Sequence, residues 1–278
     1  MSPDKKDMSN SASKGTALIT GASRGIGAVY AERLAKRGYD LILVARSEAP
    51  LKDVTARLSS ATGRRVTPIA ADLNDKADLA RVETKLKDDP SITMLVNNAG
   101  IGSIAPLLDA DVQKMEDMIA LNITALTRLT YAAAPAFVAR GTGTIINISS
   151  IVGIAPEILN GVYGASKAYV LALSHSLQHE LAATGIRVQA VLPGAVATDF
   201  WEISGTPYQN LPPSIVMSTE DMVDAALVGL DQGELVTIPS LREGDEWTGF
   251  EAARRAISGK FGNSQPAPRY QIPIRRSA

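Results

Sequence analysis

The sequence predicts a doubly wound α/β fold, one parallel sheet of about seven strands with helices on both faces. Three observations predict it. Short β-branched runs alternate with longer segments of helical period from Thr16 to about Pro239. Most of those runs are continuously apolar, as strands buried on both faces are. The length, 278 residues, fits a single α/β domain of roughly 200 to 250 residues with a modest surplus.

Seven runs read as strands: Ala17 to Thr20, Leu41 to Val44, Val66 to Ala70, Met94 to Asn97, Thr144 to Ile148, Arg187 to Leu192 and Leu235 to Ile238. Between them, Ile26, Tyr30 and Leu34, then Leu51, Val54 and Leu58, then Leu79, Val82 and Leu86 fall at helical spacing, each set turning one apolar stripe to the sheet. Pro50 suits a first helical turn, and Gly38, Gly63 and Gly185 follow helix ends. Ser218 with Asp221 marks an N-cap opening a helix to about Leu230. The organisation is then a polar leader over 1–15, expected to be disordered, one domain over 16–240, and a C-terminal extension over 241–278.

Composition narrows the function. With 45% apolar and 21% charged residues and a net charge of −1, neither nucleic acid nor an anionic membrane surface is an expected partner. The absence of cysteine excludes disulfides, thiolate catalysis and Cys-containing metal sites, and fits the cytoplasm, the expected location. No stretch reaches the ~18 uninterrupted apolar residues of a membrane span; Asn122, Arg128 and Pro135 break the longest apolar region.

The first predicted strand runs into Thr20-Gly21-Ala22-Ser23-Arg24-Gly25-Ile26-Gly27 and then a helix. Glycines at 21, 25 and 27 permit a tight turn, close approach to a pyrophosphate and close packing of the helix start, whose dipole favours phosphate. The end of the second strand, where an acid would select NAD(H), reads Ala45-Arg46-Ser47. Arg46 suits a 2′-phosphate, and Arg24 offers a second cation. The competing reading is that both arginines are solvated, with Glu48 pairing Arg46. The expected cofactor is NADP(H) rather than NAD(H).

Tyr163-Gly164-Ala165-Ser166-Lys167 opens a predicted helix after the fifth strand. A spacing of four puts Tyr163 and Lys167 on one face, where an ammonium can act on a phenol. Ser149 and Ser150 end the fifth strand and Asn122 lies in the helix before it. Together with the glycine turn, Asn97-Asn98-Ala99-Gly100, and Pro193-Gly194 followed by Thr198, this set resembles the short-chain dehydrogenase/reductase family over about 16–240.

The resemblance implies a Rossmann-type sheet and a catalytic tetrad. Tyr163 would protonate a substrate carbonyl oxygen, and Lys167 would lower the Tyr163 pKa and hold the nicotinamide ribose. Ser150, thirteen residues before the tyrosine, would hydrogen-bond the carbonyl; strand alternation lets only one of the two serines reach the site. Asn122 would support a water-mediated proton path. Ser23, Arg24 and Ile26 would join the three glycines at the cofactor. Asp72 with Leu73 would meet the adenine, unless Asp72 caps a helix, and Asn98, Ala99 and Gly100 would line the adenosine ribose, with Asn97 mainly structural. Pro193, Gly194, Val196 and Thr198 would position the nicotinamide. A homodimer or homotetramer through the long helices is also implied.

On the substrate side, 195–217 carries Phe200, Trp201, Tyr208, Pro207, Pro212 and Pro213, with Gly205 as a hinge. A connection of this length is expected to be functional, here a lid over an apolar pocket lined by Ile151, Ile154 and Ile158. That predicts a fairly hydrophobic carbonyl or secondary-alcohol substrate. His175 and His179 stand four apart without a zincin glutamate or third ligand, so no metal is expected. In the extension, Trp247, Phe250 and Ile257 share a helical stripe before a Pro-rich segment with Arg269, Arg275 and Arg276. It is expected to cap the substrate loop or reach another subunit, its last residues disordered. Two other functions share the fold: a non-catalytic NADP(H)-binding or redox-sensing protein, and an epimerase or dehydratase, disfavoured because no sugar-nucleotide domain follows.

Overall fold

A computed structural model describes residues 13–159 and 161–271; the expected leader as far as position 12, and the basic end from position 272, lie outside them. Six strands come first: β1 (Thr16–Thr20), β2 (Asp40–Ala45), β3 (Val66–Ala70), β4 (Ile92–Asn97), β5 (Gly143–Ile148) and β6 (Ile186–Val191). Two short strands, β7 (Ala195–Val196) and β8 (Val216–Met217), pair only with each other, and β9 (Val236–Thr237) completes the main sheet. That sheet runs β3-β2-β1-β4-β5-β6-β9 with every pairing parallel. The order reverses between β1 and β4, which opens a crevice beyond their carboxyl ends.

Alternation along each strand builds two cores. Ala17 and Ile19 of β1 face one side, packed with α1 (Gly25–Lys36), α2 (Glu48–Thr62) and, late in the chain, Thr219–Gln232. Leu18 faces the other, with α3 (Lys76–Asp88) and the helices Leu126–Arg140 and Gly161–Glu180. The predicted stripes of the first three helices are the buried ones, except that Ile26 is only partly covered.

Two features depart from the sequence reading and a third follows it. The long helical region is α4 (Val112–Ile119) and α5 (Leu126–Arg140), joined by a π-helical turn over Ala120–Ala125. After α6 (Gly161–Glu180), the segment expected as a loop contains β7, a short helix α7 (Phe200–Ser204) and β8; pairing of Ala195 with Val216 closes it at the base. The last helix of the sheet region, α8 (Thr219–Gln232), is capped as expected: the Ser218 hydroxyl accepts from the Asp221 N–H at 3.0 Å.

A second compact unit begins at Leu241. It holds α9 (Gly244–Ser258), where the Trp247 ring stacks on Phe250 at 5.4 Å and Arg254 pairs with Glu251 at 2.8 Å. Among the described residues, no helix is long and apolar enough to cross a membrane.

Candidate active site

The glycine turn takes its shape from backbone that side chains would block. Gly21 and Gly25 have φ of +66° and +53°, and a Cβ on Gly27 would lie 2.4 Å from the Gly21 carbonyl oxygen. Asp75, Asp111 and Ser218 cap α3, α4 and α8, but no side chain caps α1 and no acid stands in its first turn. Its leading N–H groups therefore remain as donors at the positive end of the dipole. This is a cradle for a phosphate group, and the residues fit a dinucleotide.

The neighbouring segments hold that cradle. Thr20 Oγ1 accepts from the N–H groups of Asn98 and Ala99, both at 3.0 Å, while the Asn98 side chain donates to the carbonyls of Thr20 (2.9 Å) and Gly21 (3.2 Å). The Asn98 amide thus braces the turn from within. Asn97 is structural: it donates to Thr130 and Asn147, and Asn147 donates to Ser174, a buried polar chain tying β4 and β5 to α5 and α6.

At the adenosine end, Asp75 rather than Asp72 is the N-cap of α3; the Asp72 carboxylate accepts from the Asn74 N–H at 3.0 Å and its carbonyl from the Asp75 N–H at 2.9 Å, and Leu73 is core. Arg46 is exposed, and Glu48 pairs with Lys52 at 2.7 Å instead. Arg24, also exposed, lies 3.5 Å from Asp199 at the start of the lid helix, a partner the sequence reading missed.

The four predicted catalytic residues converge at the end of β5. Ser149 Oγ donates to the Lys167 carbonyl at 2.7 Å, a structural bond, whereas the Ser150 hydroxyl reaches Tyr163 and donates to the Pro193 carbonyl at 3.3 Å. Lys167 Nζ donates to the Ile148 carbonyl at 3.0 Å and sits 5.8 Å from the Tyr163 ring centroid. The π-helical turn carries Asn122, whose amide accepts from Ile101 N–H at 3.0 Å and donates to Ile101 O at 2.9 Å and Ser166 Oγ at 3.1 Å. A Cβ at Gly100 would be 3.1 Å from Asn122 Oδ1 and 3.5 Å from Lys167 Nζ. Glycine there keeps the approach to both groups open.

The electrostatics differ from the expected ammonium-lowered phenol. Burial pushes the Tyr163 phenol well above its ordinary value, with the Ser150 hydrogen bond pulling weakly the other way. Burial also lowers Lys167 to about 8. Both shifts have one cause, removal of the charged form from water, which a linear reading of the Tyr/Lys spacing does not contain. The arrangement holds a neutral phenol, a proton donor, beside a serine hydroxyl.

Beyond Tyr163 lies a cavity of about 540 Å³ whose walls include Ile104, Leu107, Ile158, Leu159, Trp201 and Leu211; among the described residues none that lines it is charged. Of the isoleucines expected there, only Ile158 lines it; Ile151 packs against the cluster of Met115, Met118, Val152 and Tyr163, and Ile154 is off the wall. One wall, 104–107, follows the Asn97-to-Gly100 segment and bears no motif, so the sequence reading missed it. The lid rests on this segment through the Ile104 N–H, which donates to the Ser204 carbonyl at 3.2 Å. Val196 and Pro193 are buried; Gly194 and Thr198 are partly so, and a Cβ on Gly25 would touch Thr198 at 3.3 Å.

With this geometry in hand, comparison with known proteins is informative. The short chain dehydrogenase profile matches residues 15–208. A short-chain dehydrogenase from Sphingobium yanoikuyae, solved in complex with NADPH, is 48% identical with a TM-score of 0.89, covering 92% of this chain and 100% of its own. That is more of the chain than 16–240 makes up. The bulky-bulky ketone specific alcohol dehydrogenase from Comamonas testosteroni is 43% identical with a TM-score of 0.86, covering 94% and 100%. A probable NADP-dependent dehydrogenase from Haemophilus influenzae is 38% identical over 198 residues, 70% of this chain and 74% of its own.

Proposed function

This chain belongs to the short-chain dehydrogenase family, and on that premise we propose that it is an NADP(H)-dependent reductase of neutral ketones with bulky apolar substituents, working reversibly on the matching secondary alcohols. The observation that carries the reading is the pairing of a buried, neutral Tyr163 hydrogen-bonded to Ser150 with a nearby cavity whose described lining is largely apolar side chains and includes no charged one. NADPH in the Sphingobium relative and bulky ketones in the Comamonas relative support it.

Bound NADPH supplies the hydride. The uncapped first turn of α1 binds the pyrophosphate, and Arg24 and Arg46 take the 2′-phosphate. As negative charge grows on the substrate oxygen, Ser150 donates a hydrogen bond to it and Tyr163 delivers the proton, leaving an alcohol. A phenol that burial holds protonated is poised for reduction; the reverse direction needs it ionised and is favoured by alkaline pH. Lys167 bears positive charge below about pH 8 and steadies the phenolate that remains. Asn122 fixes the Gly100–Ile101 backbone beside Lys167. Exposed Tyr131, Val138 and Tyr169 on α5 and α6 offer the apolar surface that a homodimer or homotetramer would cover.

The test follows NADPH absorbance across ketones and secondary alcohols graded in size and charge. Turnover of bulky uncharged ketones is expected. NADPH binding with silence across the whole panel would favour a non-catalytic sensor instead.

A further inference from the structure

Neither Tyr163 nor Ser150 lines the cavity, and the two residues are only 6% and 8% exposed. Phe200 fills the gap. Its ring lies 5.6 Å from the Tyr163 ring at 43° and edge-on to Trp201 at 6.0 Å, and Trp201 is a cavity wall. Gly102 makes room for it: a Cβ there would fall 2.3 Å from Phe200 Cζ.

The surrounding lid is tied down while this ring is not. Trp201 Nε1 donates to the Val196 carbonyl at 3.1 Å, and the Ser204 carbonyl is held by Ile104. A benzyl side chain makes no hydrogen bond, so its rotation breaks none of these. The closed packing also leaves Ser204 Oγ, 3.1 Å from the same Gly102 Cβ position, buried without a hydrogen-bond partner among the described residues. Buried unpaired hydroxyls are costly, and an opening that admits water or substrate relieves that cost.

We propose that Phe200 is the gate and the specificity-determining residue of this site. Its ring leaves Tyr163 before a carbonyl reaches the phenol, and an apolar substituent takes its place against Gly102 and Trp201. The space then continues into the cavity, so the size of the group at position 200 sets which ketones reach Tyr163. The inference rests on the reductase reading, and its test separates the two.

Steady-state kcat/KM with NADPH would be measured for a small and a bulky aryl ketone in wild type, Phe200→Ala, Phe200→Leu and Phe200→Trp. In parallel, acetylation of Tyr163 by N-acetylimidazole would be followed in cofactor-free protein by peptide mass spectrometry. The bulky-to-small ratio is expected to rise at least about tenfold in Phe200→Ala, the scale that shape matching in an apolar pocket supplies. It should rise less in Phe200→Leu, which keeps the packing if the alanine variant fails to fold, and fall in Phe200→Trp. Tyr163 should be acetylated severalfold faster in the alanine and leucine variants. A ratio and an acetylation rate unchanged in folded Phe200→Leu or Phe200→Ala would overturn the gate. If wild type turns over no ketone, the reductase reading fails, while the acetylation rates still decide whether Phe200 covers Tyr163.

Discussion

The glycine turn follows β1 and the lid follows β6, and the two come together at Arg24 and Asp199, but they are built from different materials. The turn is specified by what is missing: positive φ at Gly21 and Gly25, and a 2.4 Å approach at Gly27 that no Cβ tolerates. The lid is specified by what fills it, Phe200 on Tyr163, Trp201 on Phe200, and apolar residues drawn from 104–107 and 158–159. Under the proposed function, backbone geometry at the turn is all-or-none and suits a constant group, whereas side-chain packing in the lid varies by increments and suits a variable one. A substitution should therefore break cofactor binding on one side and retune the substrate on the other, with the tetrad between them changing only the chemistry.

The largest effect tests that separation. Tyr163→Phe removes the donor without disturbing the cradle, so turnover should fall at least ~100-fold, the range of general acid catalysis, with NADPH affinity unchanged by equilibrium titration. A matching loss of NADPH affinity would show that chemistry and cofactor binding are not separable here. Next comes the turn itself. Gly27→Ala forces a methyl group against the Gly21 carbonyl, and overpacking of roughly 1–3 kcal/mol corresponds to a loss of NADPH affinity of roughly 5- to 150-fold. Unchanged affinity would mean that the turn relaxes and that its shape is not fixed by this contact.

The same contrast explains what could be read from the sequence. All seven predicted strands are present; the central ones, such as β1 and β5, are buried on both faces and write a continuous apolar run, whereas the edge strand β3 is half exposed, β4 starts earlier, at Ile92, and β9 spans only Val236–Thr237. The Tyr163/Lys167 pair and the glycine turn were legible from residue types at fixed spacing, and Asn122 and Ser150 from the family resemblance; the structure brings the four side chains together. The π-helical turn holding Asn122 was not legible, since it is a change of hydrogen-bond partners within an ordinary helical sequence. Ile104 and Leu107 were invisible as cavity walls because apolar residues there look like any others, and α7 was hidden in a segment too short for a helical period. The direction of the Tyr163 shift depends on how deeply it is covered, which is a tertiary property.

Burial of the tetrad makes a further measurable difference. Lys167 has its pKa lowered from 10.5 to about 8 by burial. Between those values the unfolded chain holds the proton that the folded chain has lost, so this group makes stability rise with pH, at up to ~1.4 kcal/mol per pH unit. As pH falls from 10.5 through 8, that contribution is lost. Denaturant unfolding of wild type and Lys167→Met from pH 8 to 9.5 should show a steeper rise in wild type. Parallel curves would mean that the ammonium stays solvated and that the site is more open than its burial indicates.

The smallest effect lies where the two regions touch through charge. Arg24 belongs to the glycine turn, Asp199 to the start of the lid, and they stand 3.5 Å apart with both side chains more than half exposed. A 2′-phosphate at Arg24 has to compete with that carboxylate and is also repelled by it. Asp199→Asn removes both effects, and an exposed pair of this kind is worth at most about a fivefold change. NADP(H) should bind up to that much more tightly, NAD(H) should be unaffected because it lacks the phosphate, and raised salt should erase the difference by screening. Equal gains for both cofactors would take Arg24 off the phosphate and leave the discrimination to Arg46. A gain confined to NADP(H) would show that the lid, through one carboxylate at its root, tempers the affinity of the turn it adjoins.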